Sequence, residues 1–138
     1  MRVLHAVGPE WIDGVRALFQ AAWWAQARTR ADVASNLVHS TATAGIVDDD
    51  GMLVAFARAL SDGSHRAVVL DVVVVSDRRR DGLGRAVMDA LLADPTLCRV
   101  ESIALWCKPE HVPFYELFEF TDDVSGMRLM VRGAVDGS

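Results

Sequence analysis

The chain has 138 residues, 51% hydrophobic and 24% charged, with a formal net charge of −5. That size suits one domain over residues 1–138 with a single substantial core, and the composition is that of a folded chain and not a disordered one. The acidic balance argues against nucleic-acid binding. No apolar run reaches the roughly 20 residues that cross a bilayer, and no basic-then-apolar leader opens the chain, so a cytoplasmic protein with no membrane contact is expected.

Residues 2–7 read as a short first strand, with Val3, His5 and Val7 in alternation. Gly8 and Pro9 end it and open a helix, proline being tolerated in a first helical turn. Trp11, Ile12, Val15, Leu18, Phe19 and Ala22 then share one face of that helix. Trp23 and Trp24 follow, and two adjacent indoles at a helix end cannot both enter the same core. A second helix is expected over residues 31–39, with Val33, Leu37 and Val38 inward. Residues 43–47 and 53–60 read as antiparallel strands joined by an Asp48-Asp49-Asp50-Gly51 turn, where Asp-Gly supplies the positive φ that a hairpin requires.

The strand expected over residues 66–75 contains Val72, Val73, Val74 and Val75 without alternation, the pattern of a strand covered on both faces. The period then changes. Leu83, Gly84, Val87, Met88, Leu91 and Leu92 recur at helical spacing, so a helix begins near Gly82. Between strand and helix lies Arg79-Arg80-Asp81-Gly82-Leu83-Gly84. Unpaired N–H groups and the positive dipole end make such a helix start a place for a pyrophosphate. Gly82 and Gly84 would let the backbone approach it, and Arg78, Arg79, Arg80 and Arg85 add forked donors for phosphate oxygens. A Walker loop would need Gly-Lys-Ser/Thr, and a dinucleotide fingerprint would need glycine at Val87, so neither fits.

Asp94-Pro95-Thr96 is expected to stop this helix, and residues 98–107 to form the next strand. Cys98 and Cys107 at its two ends are too far apart to bridge and are expected as buried thiols in a reducing compartment. The 4 histidines show no metal-ligand spacing, so no metal site is expected. Residues 108–120 read as a loop and short helix, 127–132 as a last alternating strand, and 133–138 as a frayed tail.

The Arg79-x-x-Gly82-x-Gly84 run after an apolar strand resembles the pyrophosphate arm of the GNAT superfamily, the acyl-CoA-dependent N-acetyltransferases. Phe114, Tyr115 and Phe120 resemble the aromatic run that closes the same family's core. The resemblance covers nearly the whole chain. It implies an α/β (α+β) fold with a mixed, mostly antiparallel sheet of about six to seven strands, a splayed central parallel pair and about four flanking helices. It further implies acetyl-CoA as co-substrate, an amine acceptor that is a small molecule or a peptide or protein amine, and a homodimer formed through the terminal strand as an open option.

By position, the backbones of Val73, Val74 and Val75 would meet the pantetheine arm, with the Val73 N–H facing the oxyanion. The turn from Arg79, Arg80, Asp81, Gly82, Leu83 and Gly84 to Arg85 would hold the diphosphate. Tyr115 stands at the general-acid position, although its phenol could equally be a packed helix residue. Asp71 is a carboxylate inside an apolar strand, where charge is costly without a partner. It could accept the amine's proton through a water or bind the ammonium, or it could equally pair with Arg58 or Arg66. Glu101, His65 and His111 are weaker candidates for the base. Trp24 and Arg28 would line the acceptor pocket, the indole favouring a cation and the guanidinium a carboxylate. Two departures from the family pattern are Ser76, where proline is frequent, and Glu119, where glycine is usual. A non-catalytic CoA-binding or sensing module and an arginine-rich adaptor are the alternative readings.

Overall fold

The computed structural model describes residues 1–78 and 81–134. Its elements are β1 (Arg2–Leu4), α1 (Ile12–Ala21) after a 3-10 turn at Pro9–Trp11, α2 (Arg30–His39), β2 (Ala42–Val47), β3 (Leu53–Ser61) and β4 (Arg66–Val74). A second 3-10 turn, Ser76–Arg78, leads to α3 (Leu83–Leu92), then α4 (Pro95–Arg99), β5 (Ser102–Ala104) and, after a turn at Pro109–His111, α5 (Val112–Glu116). The strands form one sheet in the order β1-β2-β3-β4-β5, antiparallel except for the parallel pair β4 and β5.

Both faces of the sheet are covered, each for a reason visible in the side chains. On one face Ala42, Ala44, Ala55, Ala57, Ala59 and Ala67 form a floor of methyl groups, into which α3 lowers Leu83, Val87, Met88 and Leu91. Small residues below leave room for large ones above. On the other face α1 presents Ile12, Val15, Leu18 and Phe19 to Phe56 and Val73. The Phe19 and Phe56 rings meet edge to face at 5.8 Å between centroids, and both are fully buried. Val73 belongs to this cluster and Val74 packs against the other, which is why the valine run lacks alternation.

The start of α2 has a clear local cause. Thr29 accepts from the Asp32 N–H, and the Asp32 carboxylate accepts from the Thr29 N–H, a reciprocal capping box. At the hairpin, Gly51 has φ +83°, as the Asp-Gly turn requires.

Several expectations need correction. The first strand ends at Leu4, and residues 95–99 are helical where strand was expected from Cys98. The reason is Asp94-Pro95: the Asp94 side chain accepts from the Thr96 N–H at 2.9 Å and Pro95 begins a new helix, so the pair that ends one helix starts another. Cys98 is consequently exposed. Val38, expected inward, is 79% exposed, because the inner face of α2 carries only Val33 fully buried. The sheet has five strands among the described residues. Residues 127–132 keep their alternation but have no neighbouring strand among the described residues, and Met130 is 90% exposed. A strand is defined by its partner's hydrogen bonds as much as by its own pattern.

Truncating Phe56 to alanine should cost about 3–5 kcal/mol, since the ring is fully enclosed. Val38→Ser should stay within about 0.5 kcal/mol of the parent. Thermal or denaturant unfolding of the two variants measures both, and a costly Val38→Ser would contradict the outward placement.

Candidate active site

The corner between β4 and α3 begins with Gly82, the helix N-cap, at φ +76° and ψ 14°. A Cβ built there would meet nothing within 4 Å among the described residues, so glycine is needed for its left-handed conformation. No side chain caps the helix, and the Ala86 N–H makes the first bond back, to Gly82 O at 3.0 Å. The amides of Leu83, Gly84 and Arg85 thus lack intrahelical acceptors at the positive end of the helix.

Gly84 has a different cause from the one expected. A Cβ there would lie 3.2 Å from Phe114 Cζ and 3.8 Å from Val74 Cγ2, so this glycine docks α5 against α3 and the end of β4. Of the arginines, Arg78 is committed to carboxylates, donating to Asp81 at 3.2 Å and to Asp48 at 3.3 Å. Arg85 is exposed, and Leu83 is buried. Arg79 and Arg80 lie outside the described residues.

Beside this corner the sheet opens. β4 pairs with β5 only at Arg66↔Ser102, Ala67↔Ile103 and Val68↔Ala104. Among the described residues no strand pairs with β4 on that side beyond Val68, although β4 continues to Val74. On the other side β4 is bonded to β3, and the Val75 N–H donates to Val54 O at 2.9 Å. The Val75 carbonyl accepts from the Arg78 N–H at 3.1 Å. Both main-chain groups of Val75 are therefore taken. Strand alternation puts the Val73 amide on the β3 side as well, and directs those of Val72 and Val74 into the opening. The main-chain contacts expected at Val73 and Val75 are corrected accordingly.

Upstream of these residues the ladder slips. Phe56 faces Val73 and Arg58 faces Leu70, so Ala57 opposes both Asp71 and Val72, a bulge with Asp71 at φ 55°. Asp71 is not positioned as an accessible base. Its carboxylate, 5% exposed, accepts from Arg28 through Nη1 at 2.7 Å and Nη2 at 3.0 Å, and from Arg58 Nε at 2.6 Å. Burial pushes the carboxyl upward, but the hydrogen bonds and charges of Arg28 and Arg58 outweigh it and hold the group below the usual carboxylate range. An ionised, three-fold bonded carboxylate is a poor proton acceptor at neutral pH. Of the two partners foreseen, Arg58 makes the pair, whereas Arg66 meets Glu101 at 3.3 Å. Glu101, His65 and His111 are exposed.

Arg28 is the partner that the local sequence did not offer. It leaves the α1–α2 connector, lies 4.8 Å over the Phe19 ring and also donates to Asn36 at 3.3 Å. In the same connector Trp24 packs on the α1 cluster, with an indole N–H that is buried and finds no acceptor among the described residues. Trp23 points outward, 50% exposed, with Lys108 Nζ 4.7 Å from its ring centroid. The two indoles thus divide between core and surface.

Tyr115 sits on α5, edge to face with Phe114 at 5.0 Å and with Phe120 at 6.2 Å. Burial, with a smaller contribution from Cys107, pushes its phenol up to about 12. Glu119 takes φ +69°, the backbone that glycine would adopt, and the Phe120 N–H returns to Tyr115 O at 3.3 Å. A non-glycine residue holding this turn carries roughly 1–2 kcal/mol of backbone strain.

Comparison with known proteins gives a consistent result. The model of the acetyltransferase (GNAT) family matches residues 9–120. Serotonin N-acetyltransferase 2, chloroplastic, of Oryza sativa subsp. japonica is 49% identical over 80 residues, covering 58% of this chain and 40% of that protein. The chain therefore spans less than half the length of that relative. A solved structure from Xanthomonas campestris pv. campestris, described as belonging to the GNAT family, superposes with a TM-score of 0.80 at 31% identity over 97% of this chain and 94% of the other. Glucosamine-6-phosphate N-acetyltransferase of Arabidopsis thaliana shares the fold at TM-score 0.74 and 16% identity, covering 98% of each chain.

Tyr115 is the only tyrosine, so the ultraviolet absorbance of phenolate reads it alone. Its titration should be centred near 12 in the folded protein and return to about 10 in denaturant. Because the folded value is raised, the unfolded chain loses this proton first, and stability should fall as pH rises between those two values. A folded midpoint near 10 would contradict the burial described.

Proposed function

The chain belongs to the acetyltransferase (GNAT) family, and from that premise we propose that it is an N-acetyltransferase carrying an acetyl group from acetyl-CoA to a primary amine. The observation that carries the proposal is the parting of β4 from β5 after Val68, next to the uncapped left-handed glycine at Gly82. An extended thiol arm fits such an opening, and a diphosphate fits such a helix start. In this reading Gly82, Leu83, Gly84 and Arg85 receive the diphosphate through their amides, with Arg79 and Arg80 close in sequence and Asp81 at the edge of the turn. The main chain of Val74 receives the pantetheine arm.

Acetyl-CoA supplies a thioester carbonyl open to attack. The Val72 N–H, directed into the opening just after the bulge, is the candidate donor to the oxyanion that develops there. The amine forms the new C–N bond, the C–S bond breaks, and the proton given up by nitrogen balances the one gained by sulfur. Tyr115, still protonated at neutral pH, supplies the hydrogen bond to the departing sulfur and relays that proton. The base that receives the amine's first proton is left to water, because Asp71 is engaged by two arginines.

The acceptor is proposed to be a small-molecule amine. Arylalkylamines belong among the first tested, because the rice relative is named for serotonin and because Trp23 presents a half-exposed indole on the connector. We also propose that residues 127–132, with Met127, Leu129 and Met130 exposed, pair in a homodimer, which light scattering in solution would detect as a doubled mass.

Thermal melting with acetyl-CoA, CoA and ATP in parallel should show stabilisation by the first two alone, followed by amine-dependent thiol release across a panel of amines. Tyr115→Phe should lower kcat by about 10²-fold while acetyl-CoA affinity is kept. Cofactor binding without turnover on any amine, or indifference to the Tyr115 change, would favour a sensing module or another acid. The absence of any response to CoA would overturn the reading.

A further inference from the structure

We propose that Arg28 is a positioning residue, joining the α1–α2 connector to the β4 bulge through the carboxylate of Asp71. The proposal rests on the acetyl-transfer reading for its kinetic consequence, but its structural consequence can be tested without it.

The connector between α1 and α2 has little regular structure of its own. Its main chain is held by successive turn bonds, Ala22 N–H to Phe19 O, Ala25 N–H to Ala22 O and Arg28 N–H to Ala25 O, at 3.0 to 3.1 Å. Its position in the molecule is therefore set by what its side chains grip. Near one end Trp23 takes Lys108 Nζ against its ring, a contact to the segment that leaves β5. At the other end Arg28 forms its two-point bond with Asp71 on β4. The connector thus reaches from the segment that follows β5 to the bulge of β4.

Asp71 is itself in an unusual state. A non-glycine residue at φ 55° in a strand is a conformation that needs outside support. Here the support is three charge-assisted bonds at 2.6 to 3.0 Å, two from the connector and one from Arg58 on the neighbouring strand. The bulge sets the direction of the next amides, those of Val72 and Val74. The same carboxylate therefore holds the wall carrying the indoles and the turn that aims the main chain. Removing either arginine should loosen both, which a local packing role would not produce.

The first readout is amide hydrogen exchange. Arg28→Met keeps the aliphatic stem over Phe19 and removes the fork. It should raise exchange at residues 70–74, on a strand it no longer touches. Arg58→Met should raise exchange at residues 22–28, in a connector it never touched. Exchange over α3 should stay at the parent level in both. Changes confined to each variant's own segment would overturn the coupling.

The second readout uses the best amine from the panel and acetyl-CoA. Arg28→Met should lower kcat and raise the KM for the amine, about tenfold in kcat/KM, with acetyl-CoA affinity unchanged. Arg28→Lys, which keeps the charge and loses the fork, should fall between parent and Arg28→Met, and it serves as the test variant if Arg28→Met does not fold. Asp71→Asn should keep the parent's pH–rate profile at a lower plateau. Loss of the profile's acidic limb in that variant would instead make Asp71 the base and overturn the inference. If the parent turns over no amine, the acetyl-transfer reading fails, and the exchange experiment alone still decides the coupling.

Discussion

The parallel pairing of β4 and β5 lasts for three residue pairs and then stops, and the rest of the site depends on that break. A strand inside a sheet normally spends its main-chain groups on both neighbours. Among the described residues β4 beyond Val68 pairs with β3 alone, so the amides facing the other way need water or a ligand. Such a row is costly to bury empty and useful to leave reachable. The two hydrophobic clusters keep the strand in place despite its missing neighbour, with Val73 anchored on the α1 side and Val74 against the α3 side.

The glycines of the corner divide the labour. Gly82 supplies a backbone turn that a side chain would strain. Gly84 supplies closeness: an added methyl group would lie only 3.2 Å from the Phe114 ring, and its absence lets α5, with Tyr115, sit against the helix start. One motif therefore builds both a left-handed helix start and the seat of the aromatic helix. Glu119 closes that helix in a left-handed conformation that glycine would adopt without strain.

Electrostatics in the site follow the same economy. A carboxylate within an apolar strand can either remain reactive or be neutralised by partners, and here two guanidinium groups take the second course. Its charge is used to hold geometry, since three strong bonds restrain a backbone conformation that few residues other than glycine adopt. Tyr115 goes the other way. Burial keeps its phenol protonated, the state in which it can donate.

The sequence alone was enough for what depends on neighbours along the chain. The α1 face, the Asp-Gly hairpin, the start of α3 at Gly82 and the aromatic run around Tyr115 were all legible, because periodicity and turn chemistry act over a few residues. Even Asp94-Pro95 carried a local signal, one that reads equally well as the end of a helix or the beginning of one. What depends on contact across the fold was not legible. Nothing near Asp71 in the chain announces Arg28, which is 43 positions away. The side of β4 that faces the opening follows from the bond between Val75 and Val54, and a bulge reverses any count made along the strand from upstream. Residues 127–132 have a strand's pattern without a strand's partner. Local preference is a property of a segment, whereas register, ion pairing and strand pairing belong to two segments at once, and only the folded chain brings them together.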